Sequence, residues 1–458
     1  MTTIIKAGGS SVATAARLTG GYENGAKLPG IYPQIQGMDD RIIFITSAQG
    51  KTTNNIKDFI AAARGSDKLT GFDDIFSNSK HLNLIYSPAS RGRRYSMETD
   101  IQKLRENPSA RKELNDPSYE AKLHMMGERI AAIDAWELAV QSGIHAELVD
   151  IFDEPFPLSV RGDYMNAGID FEDSSARTEY LLKNAKAPLI IIPGYGGMNR
   201  HTKTPGILAR GGSDRAAIAM QYAAHADELW ILTDIDGIKT ANVPGAETVP
   251  VLGIYDAKAA ATLGVKLPGA KSLEGLEMRY RMGEEPGVYI AHAQQMNGNR
   301  TSIVKNAPNT GTIILVGGRP VDVYTFTGNV KKIEDTMRGR NVEFAGIRVN
   351  PDEACMAVPN ENRDHTNSVV RDFLDKKRRA GTPIDMEYEE GKGYIGVVGG
   401  VRRRTGMLAR FSGLLANEEI NVEDCADPSR NSIGFIIDGK DVSPGIEALY
   451  RRLILQQS

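Results

Sequence analysis

Residues 208–240 read LARGGSDRAAIAMQYAAHADELWILTDIDGIKT, a stretch that combines a glycine-rich turn, a helix, an apolar strand and an acidic turn. Gly211 and Gly212 lack a Cβ atom, so the backbone can turn sharply and its N–H groups can approach a bound anion. Small apolar residues then repeat at helical spacing, and Ser213 or Asp214 is predicted to cap this helix.

The same stretch continues into a strand. The run 229–232 is apolar and has the length of a strand, and Thr233 and Asp234 follow it directly. Open α/β sheets bind their ligands at the carboxyl ends of their strands. Arg210 precedes the two glycines and could offer a fork of donors to a carboxylate. The pattern therefore predicts an α/β protein with an anion-binding sheet edge.

A second glycine turn follows the first predicted strand, residues 3–5. It reads KAGGSS, so the strand delivers Lys6 next to Gly8 and Gly9. The glycines would admit a phosphoryl group to the backbone, and the ammonium would supply a point charge.

A third turn, SAQGKTTN, covers residues 47–54 after the predicted strand 41–46. Its GKT does not form a P-loop, because Ile45 stands where the first glycine of that motif is required. The polar stretch 61–121 contains RGRRY at residues 91–95, which we interpret as a solvated helix in preference to an RNA-binding patch.

Composition limits the class of protein. A chain of 458 residues predicts two or three domains, and 55 Lys+Arg against 58 Asp+Glu gives no reason to expect nucleic acid or an anionic membrane as a partner. The N-terminus lacks the layout of a signal peptide and no apolar run is long enough to span a bilayer, so a soluble cytoplasmic protein is expected. Cys355 and Cys425 are too few for a zinc site and are expected to be reduced.

The three turns together resemble the motifs of aspartate kinases, in the amino-acid kinase superfamily. LARGGSD and TDIDGI are similar to Leu-Gly-Arg-Gly-Gly-Ser-Asp and Thr-Asp-Val-x-Gly-Ile, with Ala209 in place of the first glycine. KAGGSS resembles Lys-Phe-Gly-Gly-Thr-Ser, and SAQGKTTN resembles Ser-Ala-Met-Gly-Lys-Thr-Thr-Asp. A strand ending in PGYGG, residues 193–197, resembles Pro/Thr-Gly-Phe-x-Gly.

The resemblance implies functional residues. Lys6 and Asp214 would be catalytic, Asp214 by organising the lysines, while Arg210 would hold the substrate α-carboxylate and Glu128 its ammonium. The implied substrate-binding residues are Thr53, Glu128, Arg210, Gly211, Gly212 and Ser213. The implied nucleotide-binding residues are Lys6, Gly8, Gly9, Ser10, Thr233, Asp234, Lys239 and Lys266. ATP would enter with its Mg²⁺, and no metal site of the protein itself is implied.

Two family signatures are missing. Ala241-Asn242-Val243-Pro244 replaces the Asp-Pro-Arg that binds the nucleotide, and Pro268-Gly269-Ala270 replaces Leu-His-Pro. The departures put the usual nucleotide contacts in question.

The last ~140 residues repeat a rhythm of strand, helix, strand, strand, helix and strand. The stretch GVVGGVRRRTGMLARFSGLLANEEINVEDC resembles an ACT domain, and the preceding unit does so more weakly. The expected fold is α/β: an amino-acid-kinase αβα sandwich in residues 1–316, then ferredoxin-like βαββαβ ACT domains in 317–390 and 391–458. The resemblance also implies a homodimer formed through the ACT domains.

Aspartate kinase is the function that the resemblance implies, with L-aspartate and ATP as substrates. Two alternatives remain: another carboxylate kinase of the superfamily, and an amino-acid sensor whose kinase-like domain is catalytically weak.

Overall fold

The computed structural model describes the chain in two compact units. The first comprises Met1–Gly237 and Lys271–Lys305, and the second comprises Ile238–Ala270 and Asn306–Ser458. The residues that the structure describes are 2–36, 38, 41–65, 75–76, 84–208, 211–307, 312–401, 405–425 and 431–456.

The strands and helices are numbered along the chain. The strands are β1 Thr2–Ala7, β2 Gly21–Glu23, β3 Ala26–Leu28, β4 Arg41–Thr46, β5 Ala146–Leu148, β6 Ser159–Arg161, β7 Gly168–Ile169, β8 Leu189–Pro193, β9 Gly196–Asn199, β10 Pro205–Ile207, β11 Glu228–Thr233, β12 Val251–Gly253, β13 Gly287–His292, β14 Arg300–Val304, β15 Ile313–Gly328, β16 Gly346–Val349, β17 Glu353–Pro359, β18 Ile384–Gly399, β19 Asp424–Cys425 and β20 Ser432–Asp438. The helices are α1 Ala15–Thr19, α2 Ile31–Ile35, α3 Thr52–Gly65, α4 Pro88–Glu106, α5 Pro117–His124, α6 Met126–Gln141, α7 Phe171–Asn184, α8 Gly212–Ala223, α9 Ile254–Thr262, α10 Glu274–Arg281, α11 Ile333–Gly339, α12 Arg363–Arg379, α13 Met407–Ala416 and α14 Val442–Leu453.

The first unit is built on a mostly parallel sheet. Its strands follow the order β14-β13-β11-β1-β4-β8-β5, and only the β13–β14 pair within this order is antiparallel. β1 is central and apolar, and Ile4 and Ile5, which point to opposite faces, are both fully buried. Burial on both faces is what parallel strands require, so the predicted α/β sheet is confirmed.

The parallel strands bring several predicted turns to one edge of the sheet. Ala7 at the end of β1 is in register with Thr46 at the end of β4 and with Leu232 in β11. Thr46 is in register with Pro193 at the end of β8. The chain leaves all four strands on the same side, which is where a ligand site of an open sheet forms. A smaller sheet, β10-β9-β6-β7, belongs to the same unit.

The predicted cap of α8 is wrong. Gly211 is the N-cap, with a left-handed φ of 74°, and no side chain caps the helix. Ser213 and Asp214 lie inside the first turn instead. Glycine takes the cap position because it adopts positive φ without steric cost.

The second unit contains one six-stranded sheet, in the order β16-β17-β15-β18-β20-β19. β15 and β18 are 16 residues long and pair with each other from end to end. The predicted division between the ACT domains at residues 390 and 391 falls inside β18, so residues 384–388 and 394–398 are two parts of one strand. Gly391 lies between these parts at φ 75°, and the ladder with β15 continues past it after a register shift.

Two βαββαβ modules share these long strands. In the first, residues 321–327 of β15 pair with β17, and in the second, residues 392–398 of β18 pair with β20. The second module obtains its remaining strand from the first part of β15, where 313–321 pair with 392–399. Separate apolar clusters lie under the two modules. The ferredoxin-like ACT architecture expected from the sequence is confirmed.

Residues 238–270 pack within the second unit. The N–H of Val316 donates to the carbonyl oxygen of Thr240 at 2.8 Å, and Ala241 belongs to the apolar cluster of the second ACT-like module. The predicted boundary near residue 316 falls inside β15.

Both cysteines are free thiols, and Cys355 is buried while Cys425 is partly exposed. Burial raises the pKa of Cys355 to about 12, which makes its thiolate scarce. In the described part of the chain, no helix has the length and apolar character needed to cross a membrane.

Candidate active site

An ion pair lies at the carboxyl edge of the first unit's sheet. The Nζ atom of Lys6 is 2.7 Å from Oδ1 of Asp214, and the two side chains are 11% and 21% exposed. β1 supplies the lysine and the first turn of α8 supplies the carboxylate. Beyond Lys6 the N–H of Gly8 donates to Leu232 at 3.0 Å, which ties the glycine turn to β11. The structure thus brings together the two residues predicted to be catalytic.

The turns after β1 and β4 are in direct contact. A Cβ atom on Gly9 would lie 2.2 Å from the carbonyl oxygen of Ala48, so no other residue fits there without moving the backbone. Thr52 begins α3, and its N–H donates to the carbonyl of Gln49 at 3.1 Å. Thr53 follows in the first turn of α3 and is partly exposed.

The N-terminus of α8 is open to a ligand. Apart from its chain neighbours, no described residue lies within 4 Å of where a Cβ atom of Gly211 would be, whereas at Gly212 it would be 2.7 Å from the ring of Tyr195. The first N–H groups of α8 have no side-chain cap, so they and the helix dipole favour an anion. Arg210, predicted to bind a carboxylate, lies outside the described residues.

Glu128 is a buried carboxyl group beside this edge. It lies in the first turn of α6, is 3% exposed, and its Oε2 atom has no hydrogen-bond partner among the described residues. Burial raises the pKa of Glu128 to about 8, although the N–H of Ala48 and the ammonium of Lys6 both act to lower it. The carboxyl group of Glu128 therefore interacts electrostatically with the ammonium of Lys6, and it can exchange a proton near neutral pH.

Gly127 explains why Glu128 lies so close to the turn after β4. A Cβ atom on Gly127 would be 2.7 Å from Cβ of Ala48 and 3.4 Å from Cγ2 of Thr52. The hydroxyl of Thr46 also donates to the backbone carbonyl of Glu128 at 3.2 Å. The Gly-Glu pair therefore packs α6 against the β4 turn and places its carboxyl group at the site.

Tyr195 is a site residue that the sequence reasoning did not select. It is 7% exposed and has a φ of 69°, which is uncommon for a tyrosine. Burial, together with the Glu128 carboxylate, raises the pKa of Tyr195. The neighbouring Gly194 packs against Ser213, where a Cβ would lie 3.1 Å from that of the serine. The signal in the sequence was the PGYGG turn after β8.

The ends of β11 and β13 place further polar groups along the same edge. The hydroxyl of Thr233 donates to Oδ1 of Asp234 at 3.0 Å, and the carbonyl of Thr233 accepts from the N–H of Ala293 at 2.9 Å. His292 is in register with Thr233. The sequence analysis missed His292, which is recognisable as the polar residue that ends β13.

The remaining predicted nucleotide-binding residues are distributed between the two units. Ser10 is exposed in the turn after Gly9, and its carbonyl accepts from Nη1 of Arg17 at 2.5 Å. Lys239 and Lys266 belong to the second unit, where Lys239 donates to Thr248 at 2.9 Å. Across the described ranges, no cluster of three or more His, Cys, Asp or Glu could hold a metal ion.

The geometry suits a ligand that carries both signs of charge. An anion would meet the ammonium of Lys6 and the open N-terminus of α8. An ammonium group would meet Glu128, whose burial makes an unpaired negative charge costly. A phosphate and an amino acid together would satisfy all of these groups.

Comparison with known proteins places the chain in a family. Residues 1–273 match the model of the amino acid kinase family. The aspartokinase of Corynebacterium glutamicum is 26% identical over 289 residues, which cover 58% of this chain and 66% of that protein, so the chain matches about two thirds of its relative's length.

Solved structures show the same fold. E. coli aspartokinase III in complex with aspartate and ADP matches with a TM-score of 0.80 at 18% identity, over 99% of this chain and 100% of that one. The same enzyme in complex with lysine and aspartate matches with a TM-score of 0.68 at 17% identity, over 99% of each chain. Because the family model covers more than half of the sequence, the chain belongs to the amino acid kinase family.

Proposed function

We propose that this protein is an aspartate kinase, which transfers the γ-phosphoryl group of MgATP to the side-chain carboxylate of L-aspartate and yields 4-phospho-L-aspartate and ADP. The observation that carries the proposal is the Lys6–Asp214 ion pair at the open N-terminus of α8, with the buried Glu128 within electrostatic reach. The relatives named aspartokinase, and the aspartate and ADP complex of the E. coli enzyme, support it.

Lys6 and the glycine turns would act on the phosphoryl group. A carboxylate oxygen of aspartate attacks the γ-phosphorus, a new P–O bond forms, and the bond to the bridging oxygen breaks, leaving its electron pair on ADP. Such transfer depends on positioning and charge neutralisation more than on covalent help. The nucleotide would bring a Mg²⁺ ion, which would supply charge that shields the phosphates. Asp214 holds the ammonium of Lys6 in place until the anion arrives.

The amino-acid end of the substrate would occupy the other side of the site. Glu128 pairs with the substrate ammonium, Arg210 grips the α-carboxylate, and Thr53 and Ser213 complete the pocket. The Glu128 carboxyl group is largely protonated before the substrate binds. It loses its proton and becomes a carboxylate when the substrate ammonium pairs with it.

The second unit would act mainly in dimerisation. We propose catalytic residues in 1–316, ACT domains in 317–390 and 391–458, and a homodimer formed through the ACT domains. Lys239 and Lys266 would reach the nucleotide phosphates.

The first test is a coupled ADP-release assay with L-aspartate, L-glutamate and acetylglutamate in parallel. Turnover should require aspartate, and Lys6→Ala and Asp214→Ala should each reduce kcat on the order of 10²-fold or more, since each removes a charge used in the transition state. Lys183→Ala is the control, because that lysine is 71% exposed on α7. Turnover with another acceptor would identify a different carboxylate kinase, and no turnover with any acceptor would favour an amino-acid sensor.

Aspartate binding should release a proton near pH 7. The pKa of Glu128 is about 8 without ligand, and pairing with an ammonium lowers it, so the bound form gives up a proton below about pH 8 and none well above it. Calorimetry in buffers of different ionisation enthalpy measures this release. Glu128→Gln should abolish it and weaken binding, and unchanged proton release in that variant would assign the effect to another group.

Nucleotide selectivity should be poor. Ala241 to Pro244 offers neither the carboxylate nor the guanidinium of the family's Asp-Pro-Arg, so ATP should bind loosely and compete weakly against GTP. Calorimetric titration with both nucleotides in the presence of Mg²⁺ tests this expectation. Tight binding with a strong preference for ATP would contradict it.

Feedback inhibition by lysine or threonine should be weak. The first ACT-like module has Thr325-Phe326-Thr327-Gly328-Asn329 where the family has its effector loop, without the Pro-Gly or His-x-x-Gly-Phe pattern that binds an effector there. Residues 325–328 belong to β15, so the predicted loop itself begins only after Gly328. Each effector group buried without a partner costs roughly 1–3 kcal/mol. Sedimentation should report a dimer, and millimolar lysine or threonine should leave its activity nearly unchanged. Sharp micromolar inhibition would show that the altered loop still binds an effector.

A further inference from the structure

Helix α4 carries two adjacent arginines, Arg93 and Arg94, in the RGRRY stretch that we interpreted as solvated. Arg94 is instead only 11% exposed, and its Nη1 atom lies 3.1 Å from Oδ1 of Asp134, a fully buried residue of α6. Arg93 reaches Asp150 at 3.1 Å and Asp153 at 3.0 Å. Both guanidinium groups therefore form ion pairs with carboxylates of the first unit.

Asp134 is shared among several donors. The hydroxyl of Tyr86 donates to its Oδ1 atom at 2.7 Å, and Nε2 of Gln49 donates to its Oδ2 atom at 3.3 Å. The Arg94 guanidinium also lies over the Tyr86 ring, 4.6 Å from the centroid. A buried carboxylate needs such partners, because an uncompensated charge away from water is costly.

Gln49 connects this cluster to the substrate site. It is 1% exposed and lies in the turn after β4, where the resembling motif has methionine. Methionine has no donor for a carboxylate, so the contact with Asp134 is a feature of this chain. Its neighbour Ala48 lies against Gly9 on one side, and on the other its Cβ atom lies 2.7 Å from where a Cβ atom of Gly127, the residue before Glu128, would be. A shift of this turn would therefore displace both the glycine turn at Gly9 and the carboxyl group of Glu128.

Arg93 fixes a second segment in the same way. Asp150, its partner, also accepts two hydrogen bonds from Arg129, at 2.8 Å and 2.7 Å. Arg129 follows Glu128 directly in α6. The two arginines of α4 thus reach α6 after the residue that would receive the substrate ammonium, Arg94 directly at Asp134 and Arg93 through Asp150 at Arg129.

We propose that Arg94 is a positioning residue of the amino-acid site: through Asp134 and Gln49 it holds the turn 47–52 in the place where that turn contacts Gly9 and Glu128. The expected change in the KM for aspartate rests on the proposed function. The expected effect on the position of the turn rests on the buried contacts alone. Arg94 does not touch the substrate. It acts only through the turn.

A double-mutant cycle tests the chain of contacts. Arg94→Met should raise the KM for aspartate on the order of tenfold, because a buried charged hydrogen bond is lost, and should change the KM for ATP much less. Gln49→Met should raise the aspartate KM similarly, and the double variant should be little worse than either single one. Arg91→Met is the control, since Arg91 is exposed on the same helix. Additive effects, or equal rises for both substrates, would overturn the proposal.

Hydrogen exchange separates this inference from the proposed function. Amides of residues 47–52 should exchange on the order of tenfold faster in Arg94→Met than in the wild type or in Arg91→Met, whatever reaction the protein catalyses. If exchange is faster in Arg94→Met but the wild type does not phosphorylate aspartate, the proposed function is rejected and the positioning role of Arg94 is supported. Unchanged amide exchange at residues 47–52 in a folded Arg94→Met variant would reject the positioning role of Arg94, even if aspartate is the substrate.

Discussion

The ion pair between Lys6 and Asp214 is the contact on which the site depends. It joins the first strand of the sheet to the first turn of α8, and both side chains are mostly shielded from water. The pair keeps a cation at the sheet edge without leaving it uncompensated, so the site is organised before any anion arrives. A phosphoryl group would then exchange one negative partner for another, which costs little reorganisation.

Close packing of turns brings the two partners together. Gly9, Gly127 and Gly212 each stand where a Cβ atom would collide with a neighbouring turn, at Ala48 or at Tyr195. Glycine therefore serves packing at these positions as much as access for a ligand. One consequence is the burial of Glu128, which raises its pKa into the range where ligand binding can change its charge.

The second unit follows a different constraint. β15 and β18 run through both ACT-like modules, and a register shift between Val321 and Val323 separates the part of the ladder in one module from the part in the other. The modules keep separate apolar clusters while sharing two strands.

From the amino-acid sequence alone came four strands of the parallel sheet, β1, β4, β8 and β11, the turns that follow them and the family to which they point, whereas β13 was not predicted. Apolar runs bounded by glycine carry that information locally, which is why Lys6, Glu128 and Asp214 could be selected. Other features required the tertiary structure: the glycine cap of α8, the continuous strand β18, the positive φ of Tyr195 and the burial of the Arg94 side chain. Each depends on what lies opposite in space. Arg94 has the same local pattern as a solvated arginine, and only the buried carboxylate of Asp134, distant in the chain, holds it in the interior of the first unit.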